Sequence, residues 1–515
     1  MTTDVPFREW PPKSAWYRSP AMLTLSEVLR DRAERDGDRV MFDFADRSYT
    51  YRDVQARAGT WQLILSDAGA QPAARIVFLS ANRPEFVFAL YGALALGASV
   101  VLCSPAWKAG EIAHACDVVT PQLAVADPAG RATLSEAAPE LPTLALEDPP
   151  VLSDRIGVWQ VDDVDADAVL VFSSGTTGLP KAVRHTHRSM GHGVQHWITA
   201  LGLTDTDRFQ IATPPVHILG LLNIFTAVAA GARFRLHPRF DLDASLEAVQ
   251  DERLTLEMAV APIALGMANH ARLEEFDLSS LRYVMWGATP VAEEVAHTVT
   301  RRSGVRWLPA YGTSEVPVIA CNPVQEPDRW RLDTVGLAVP GVEVRIVDPE
   351  RGEVLPAGET GEIEVLSPSA MAGYLPDSET PAAFRDGWYR TGDIGWLEPD
   401  GWLHITDRLK EMVKVRGFQV APAEIEAVLH GDPRVRDCAV FGVPDPELGE
   451  AVVAAVVLVD GERATGEELQ DAVASRLAGY KRVRHVVFVD EIPRLPSGKA
   501  LRRQLKERWQ EQSLA

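Results

Sequence analysis

The sequence predicts an α/β protein: two layered α/β subdomains and a small β subdomain form a large N-terminal domain, and a separate α+β unit follows. Three observations carry that prediction. Short β-branched runs alternate with helix-period runs from about residue 24 to residue 320, the pattern of layered α/β domains. One local pattern occurs twice: LALGASVVL (94–102) and AVAAGARFRL (227–236) each read as an apolar helix end, a Gly-Ala stop and a strand. After residue 335 the runs shorten to strands and turns, and 515 residues exceed a single ordinary core.

Residues 24–36 set Leu25, Val28 and Leu29 on one side of a helix, with Arg30, Arg32, Glu34 and Arg35 elsewhere. RSYTY (47–51) reads as a strand, 52–67 as a helix, RIVFLS (75–80) as a strand, 83–96 as a helix and ASVVLC (98–103) as a strand. Phe86 to Cys103 is uncharged over 18 residues, yet Gly92 and Gly97 interrupt it and SVVL is β-branched. A buried helix, a glycine stop and a buried strand account for it better than a membrane span. LTLEMAVAP (254–262), a helix at 263–274, LRYVMWGATP (281–290), a helix at 291–302 and VRWLPAYGTSE (305–315) continue the alternation. Two of these strands end in Gly- or Pro-containing loops of the kind that line sites at the carboxyl edge of a sheet. VEVRIVD (342–348) and GEIEVLS (361–367) belong to the β subdomain. The α+β unit holds MVKVRG (412–417), a helix at 422–430, strands at 437–443 and 451–459, a helix at 467–478, the strand HVVFV (485–489) and a basic tail. Its boundary is expected near Asp407–Lys410, giving units 1–408 and 409–515.

Bulk composition narrows the function classes. With 46% hydrophobic and 24% charged residues the chain is globular, and a net charge of −21 argues against a nucleic-acid surface. Cys103, Cys116, Cys321 and Cys438 form no CxxC pair, so neither a disulfide framework nor a zinc site is expected. Asp4, Arg8, Glu9 and Lys13 among prolines do not make a signal peptide, and a cytoplasmic enzyme without a membrane span is expected.

The richest stretch is VFSSGTTGLPKAV (171–183). A buried-strand run leads into hydroxyls at Ser173, Ser174, Thr176 and Thr177, interleaved with Gly175 and Gly178 and closed by Pro180 and Lys181. Glycines let backbone N–H groups approach a ligand, hydroxyls add donors, and the lysine adds a movable positive charge. These groups suit a polyphosphate. The spacing is not that of a Walker A loop, because only two residues separate the glycines and Lys181 follows a proline.

The loop stands in a series with PPVHILG (214–220), YGTSE (311–315), YRTGD (389–393), TDRLKEMVKVRGFQVAPAEIE (406–426) and PSGKALRR (496–503). In this order, the set resembles the AMP-forming acyl-CoA synthetases of the adenylate-forming superfamily, which includes coumarate– and benzoate–CoA ligases, adenylation domains and luciferases. The resemblance covers nearly the whole chain. It implies a mobile C-terminal domain and a two-step reaction, in which ATP and a carboxylic acid give acyl-AMP and a thiol, usually that of coenzyme A, then takes the acyl group. It also implies roles for particular residues. Lys181 and the loop hold the β- and γ-phosphates, Glu315 binds Mg²⁺, and Ser314 offers its hydroxyl to the α-phosphate where members usually carry Thr. Gly312 and Thr313 complete that loop. Tyr311 stacks on adenine, with Gly287 and Ala288 close to the ring, while Asp393 and Arg408 attend the ribose and α-phosphate. Lys499 bridges carboxylate and phosphate during adenylation, Lys410 is the hinge, Gly417 passes the pantetheine chain, and Lys414 and Gln419 contact the adenylate. His217 stands between the carboxylate and the thiol tunnel. The acyl walls are then Ile218, Leu219, Leu222, Asn223, Trp286, Gly287, Pro317 and Val318. None of these is charged, so an apolar acid is expected and an amino acid or dicarboxylate is not. Trp286 stands where members have a small residue and is expected to shorten the pocket; Ala182 stands where Gly is common. A carrier-protein thiol or an amine as acceptor, and a non-catalytic nucleotide-binding homologue, are the alternatives.

Overall fold

The computed structural model describes residues 23–147, 163–173, 180–288, 293–409, 411–415, 418–445, 448–494 and 500–514. The α/β class expected from the sequence is what it shows. In the first layer, a seven-stranded sheet runs in the order Gly373–Leu375, Lys181–Thr186, Asp167–Ser173, Ser99–Leu102, Arg75–Leu79, Leu123–Ala126 and Thr143–Ala145. The second layer is built on a four-stranded sheet, Arg47–Thr50, Val40–Phe44, Arg233–Leu236 and Arg208–Ile211. It is joined to a five-stranded sheet whose parallel strands are Leu256–Ala259, Tyr283–Trp286 and Trp307–Tyr311. A Thr255 N–H to Arg208 C=O bond of 2.8 Å carries one of these sheets into the next.

The duplicated pattern has a duplicated geometry. Helix Pro84–Leu96 ends at Gly97 with φ +83°, and helix Ile218–Ala230 ends at Gly231 with φ +78°. In both, the following alanine N–H bonds back to the helix at 3.0 Å, Ala98 to Ala93 and Ala232 to Ala227. Only glycine takes this left-handed turn without a Cβ penalty, so each helix stops and feeds a strand, Ser99–Leu102 or Arg233–Leu236. The uncharged stretch 86–103 is therefore a buried helix, a stop and a buried strand. Among the described residues no helix is long and apolar enough to cross a membrane. The helix expected at 263–274 is Ala261–Asn269: Pro262 starts it and the extended backbone of His270 ends it.

The β subdomain pairs Glu343–Val347, Gly361–Leu366, Trp388–Leu397 and Leu403–Arg408 in antiparallel fashion. Two carboxylates lie inside it. Glu364 is 0% exposed; its Oε2 accepts from both Arg345 Nε and Nη2, at 2.9 and 2.7 Å, and its Oε1 forms an ion pair with Arg385 Nη1 at 2.8 Å. Glu362 receives Arg390 at 3.1 and 2.7 Å. Charges withdrawn from water to this degree have to be paired.

A second core draws on residues from Val413 to Leu505. Its sheet joins Phe418–Val420, Val413–Val415, Gly449–Leu458, Val435–Asp445 and His485–Phe488. The basic tail is the helix Arg502–Leu514, and its first residue is not a solvated cation. Arg502 bonds Glu426 Oε1 at 2.7 Å and the Val440 carbonyl at 2.9 Å, and it also meets Glu411. Asp407, in the strand Leu403–Arg408, reaches across to this unit. Its Oδ2 accepts the Ala423 N–H at 2.9 Å, at the start of helix Pro422–His430, and its Oδ1 accepts the Arg408 N–H at 2.7 Å.

Burial pushes the Asp407 carboxyl up from 3.8 to about 6, against the lowering effect of Arg502. A raised carboxyl favours the neutral form in the folded state, so its contribution to stability is largest at low pH and is lost as pH rises to about 6. Asp407→Asn removes that titration. In parallel thermal melts, the Tm difference should move in the variant's favour between about pH 4 and pH 6 and stay constant above about pH 7. Identical slopes for the two proteins would contradict the burial of an ionisable Asp407.

Candidate active site

The strand Lys181–Thr186 is the seam of the site. Along one edge it pairs with Asp167–Ser173, which sets Lys181 opposite Ser173 at the two ends of the hydroxyl-rich loop. Along the other it pairs with Gly373–Leu375, placing Tyr374 opposite Val183. Ser174, Gly175, Thr176, Thr177 and Gly178 lie outside the described residues, as do Lys410, Gly417 and Lys499. The Lys181 ammonium sits 5.4 Å from the Tyr374 ring centroid and makes an ion pair with Glu379.

Tyr374 also serves the YGTSE motif. Its hydroxyl donates to Glu315 Oε1 at 2.8 Å, and the Met371 N–H donates to the Glu315 carbonyl at 2.8 Å. Glu315 is 8% exposed, so this phenol is what satisfies a carboxylate withdrawn from water. Burial first, and then the neighbouring Glu315, push the Tyr374 hydroxyl far above the usual phenol range. The motif folds as a tight reversal. The Thr313 N–H meets the Val316 carbonyl at 2.9 Å, and the Thr313 hydroxyl accepts the Val316 N–H at 3.0 Å. A Cβ on Gly312 would fall 2.0 Å from the Pro317 carbonyl oxygen, so only glycine permits this close approach. Ser314 is held through its carbonyl, 2.8 Å from His185 Nε2.

A second carboxylate sits beside the first. The Tyr311 hydroxyl donates to Asp393 Oδ2 at 2.5 Å, and Arg408 Nε lies 3.3 Å from Asp393 Oδ1. Asp393 and Arg408 are partners in the register of Trp388–Leu397 against Leu403–Arg408. Burial and then the Asp393 charge raise the Tyr311 hydroxyl well above its ordinary range. Burial works against the Arg408 charge, but Asp393, Glu411, Tyr311 and Glu315 together hold its pKa above the ordinary value. Tyr311, Glu315, Asp393 and Arg408 thus share one electrostatic environment. Gly287 and Ala288 follow the strand Tyr283–Trp286, and Ala288 adopts φ +63°, a strained value for a residue with a side chain.

His217 caps the helix Ile218–Ala230, its Nδ1 accepting the Leu219 N–H at 3.2 Å. Behind it, Ile218, Leu222 and Asn223 are buried, and Leu219 packs against the same core. Asn223 Oδ1 accepts the Trp197 indole N–H at 2.8 Å. The helix His187–Leu201, which the sequence reading did not assign, closes this region. A Cβ on its Gly193 would lie 3.6 Å from Pro317 and 3.8 Å from Leu222, so three elements converge there. Val318 is fully buried in the same core.

Trp286 corrects an expectation. It was assigned to the acyl walls, but it is 1% exposed and packs 5.1 Å from Trp307 in a separate core with Val284, Ala296 and Val299. Strand alternation explains this, since Tyr283 and Met285 occupy the opposite face with Leu308. Trp286 therefore belongs to that core and lies apart from the cluster that holds Leu222 and Val318. Lys414 is exposed on the strand Val413–Val415, its N–H bonded to Glu450 at 2.7 Å, opposite Gln419 in the neighbouring strand. The structure draws no bond between Lys414 and the Tyr311–Asp393–Arg408 group. Sequence reading also missed Tyr374, Glu379 and His185, whose contacts join segments remote in the chain.

Comparison with known proteins decides the family. The sequence profile described as AMP-binding enzyme matches residues 29–375, and the profile of the AMP-binding enzyme C-terminal domain matches residues 424–499. The chain belongs to the AMP-binding enzymes. As a member of this adenylate-forming family it is a ligase. It is 35% identical to 4-coumarate–CoA ligase 2 of Nicotiana tabacum over 89% of each chain, and 34% identical to 4-coumarate–CoA ligase 1 of Solanum tuberosum over 90% of this chain and 89% of that one. Among solved structures, the amide bond synthetase McbA of Marinactinospora thermotolerans aligns over 94% of this chain and 99% of its own, with a TM-score of 0.86 and 31% identity. ATP-bound MatB of Rhodopseudomonas palustris aligns over 95% and 99%, with a TM-score of 0.87 and 27% identity.

If Lys181 is to hold phosphate as expected, its pair with Glu379 has to open. Glu379→Gln should then tighten ATP binding in calorimetric titration by about two- to fivefold, the range of a partly exposed ion pair. Unchanged affinity would show that the pair does not compete with the ligand.

Proposed function

We propose that this AMP-binding enzyme activates a small apolar carboxylic acid (aromatic, alicyclic or short- to medium-chain) as its acyl adenylate and transfers the acyl group to coenzyme A. One observation carries the reading. Glu315, the metal-binding candidate, and Pro317, an acyl-wall candidate packed near Gly193, sit two residues apart on one tight turn, and the Glu315 charge acts on Arg408 of the Tyr311–Asp393–Arg408 group. An acid seated against Pro317, Leu222 and Val318 would present its carboxylate to a nucleotide held by that group.

In the first step a carboxylate oxygen bonds to the α-phosphorus of ATP, the bond to the β-phosphate oxygen breaks, and pyrophosphate leaves. Two anions meet, so the site has to neutralise charge more than move protons. Lys181 and the 173–178 loop take the β- and γ-phosphates, Arg408 and Ser314 attend the α-phosphate, and Asp393 accepts the ribose hydroxyls. Among the described residues no cluster of three or more His, Cys, Asp or Glu could hold a metal alone. A single hard carboxylate, Glu315, fits the Mg²⁺ habit of binding through one or two protein oxygens plus substrate phosphates. When bound, that ion would offset the phosphate charge. Lys499 bridges carboxylate and phosphate in this step. The C-terminal unit then turns about Lys410, and the 414–419 segment, with Gly417 giving passage, presents the thiol. The thiol gives up its proton to solvent, sulfur bonds to the acyl carbon, the acyl–phosphate bond breaks, and AMP departs. His217, anchored through Nδ1, stands between the two steps. We place the reaction in a reducing, cytoplasmic setting, in keeping with four free cysteines.

A second reading keeps the adenylate and changes the acceptor to an amine, favoured by the 31% identity to an amide bond synthetase. A carrier-protein thiol is the remaining variant. A non-catalytic homologue is disfavoured by the joint presence of Lys181, Glu315, Asp393 and Lys499.

Pyrophosphate release screened over apolar, amino and dicarboxylic acids, with coenzyme A or amines, tests the proposal. Release with apolar acids and a coenzyme A-dependent thioester support it. Release with an amide as the only product moves the enzyme to the second reading, and no release with any acid rejects both. Lys499→Ala should slow adenylation by about 10²–10³-fold yet spare thioester formation from supplied acyl-AMP. Equal loss of both steps would sink that division of labour.

A further inference from the structure

The buried histidine of the strand Lys181–Thr186 has no part in the roles assigned so far. His185 is 0% exposed and lies opposite Val169 in the sheet. Its Nε2 is 2.8 Å from the Ser314 carbonyl oxygen, and its Nδ1 is 3.2 Å from Ser189 Oγ, in the first turn of helix His187–Leu201. A carbonyl can only accept, so Nε2 carries the proton; the one proton of the Ser189 hydroxyl has both Nδ1 and the Thr186 carbonyl, 3.3 Å away, within reach. That hydroxyl is itself fixed: the Thr186 N–H donates to it at 3.1 Å, within a capping box that ties Ser189 to Thr186. Burial lowers the imidazole's pKa, partly countered by the Ser314 bond and by Glu315, which favours a neutral ring.

Glu315 is therefore held from two sides by one strand. Tyr374, paired on Lys181–Thr186, bonds its carboxylate, and His185, within that strand, bonds the carbonyl of the residue before it. Lys181 occupies the strand's other end. We propose that His185 is a positioning residue that fixes the Ser314–Glu315 turn at a set distance from Lys181, so that metal-bound ATP meets both at once. This inference rests on the adenylation reading and adds to it a residue that touches neither substrate nor metal.

The test compares His185→Leu, which strips the donor, with His185→Gln, whose side-chain amide offers an N–H at a similar reach. Wild-type enzyme releasing pyrophosphate with an acid establishes the underlying reading; if it does not, that reading fails before this one is tested. With it in place, His185→Leu should raise the KM for ATP at fixed Mg²⁺ about tenfold, the loss of one well-made buried hydrogen bond. The KM for the acid should hold. In calorimetric titration, ATP affinity with Mg²⁺ should fall in the leucine variant, and affinity without Mg²⁺ should change little. His185→Gln should restore both to within about twofold of wild type. If His185→Leu fails to fold, Ser189→Ala, which frees the ring to turn, decides by the same pair of titrations. A folded leucine or Ser189→Ala variant with wild-type Mg²⁺-dependent affinity overturns the proposal. A glutamine variant as impaired as the leucine one does so too.

Discussion

A carboxylate withdrawn from water is stable only while donors meet it, and two such groups, Glu315 and Asp393, set the terms for this site. Each receives a phenol hydroxyl, from Tyr374 and Tyr311 respectively. Neither tyrosine is free to sit elsewhere. Tyr374 is fixed by pairing with the strand that bears Lys181, and Tyr311 ends a strand of the second α/β layer. Asp393 comes from the β subdomain. The two hydrogen bonds thus bring three structural units to a common point, on a domain held together by one continuous apolar core.

Much of this architecture was legible in the chain. Apolar β-branched runs broken by Gly97 and Gly231 leave little choice of element, because no other residue makes that helix stop so easily. The motif residues Tyr311, Glu315, Asp393 and Arg408 were legible through resemblance, and they do lie together. What escaped depends on pairing between distant segments. Residue 374 meets residue 183 across the sheet, so neither the Glu315–Tyr374 bond nor the Lys181–Glu379 pair has any local signature. The helix His187–Leu201 was missed although Met190, Val194, Trp197, Ile198 and Leu201 recur at helical spacing; Gly191 and Gly193, poor helix formers, stand in its first half. Trp286 was misplaced for a reason the sequence did contain: at period two it shares a face with Val284, away from Met285.

Among the described residues, the C-terminal unit has an apolar core of its own. Its apolar cluster contains no residue before Val413. Across the proposed boundary, the Asp407 carboxylate holds the start of helix Pro422–His430, while just beyond it Arg502 gathers Glu411 and Glu426 within the unit. Polar ties of this kind are directional and can be remade in a new orientation, whereas a shared apolar core would resist separation. The arrangement suits a unit proposed to change its orientation between two chemical steps.

The glutamates buried in the β subdomain bear on a different variable, the salt of the medium. Exposed pairs on this surface, such as Arg52–Asp38 and Arg436–Asp460, contribute little and are weakened further by dissolved salt. Glu362 and Glu364, at 2% and 0% exposure, are shielded from that screening, and their arginines stay in place. Asp393 lies on the strand that carries Arg390, so the ribose-binding candidate shares its strand with an ion pair whose carboxylate is shut away from solvent. In a chain with a net charge of −21, whose surface repulsion varies with every change of electrolyte, this makes the strand that bears Asp393 less sensitive to its ionic surroundings than the surface is.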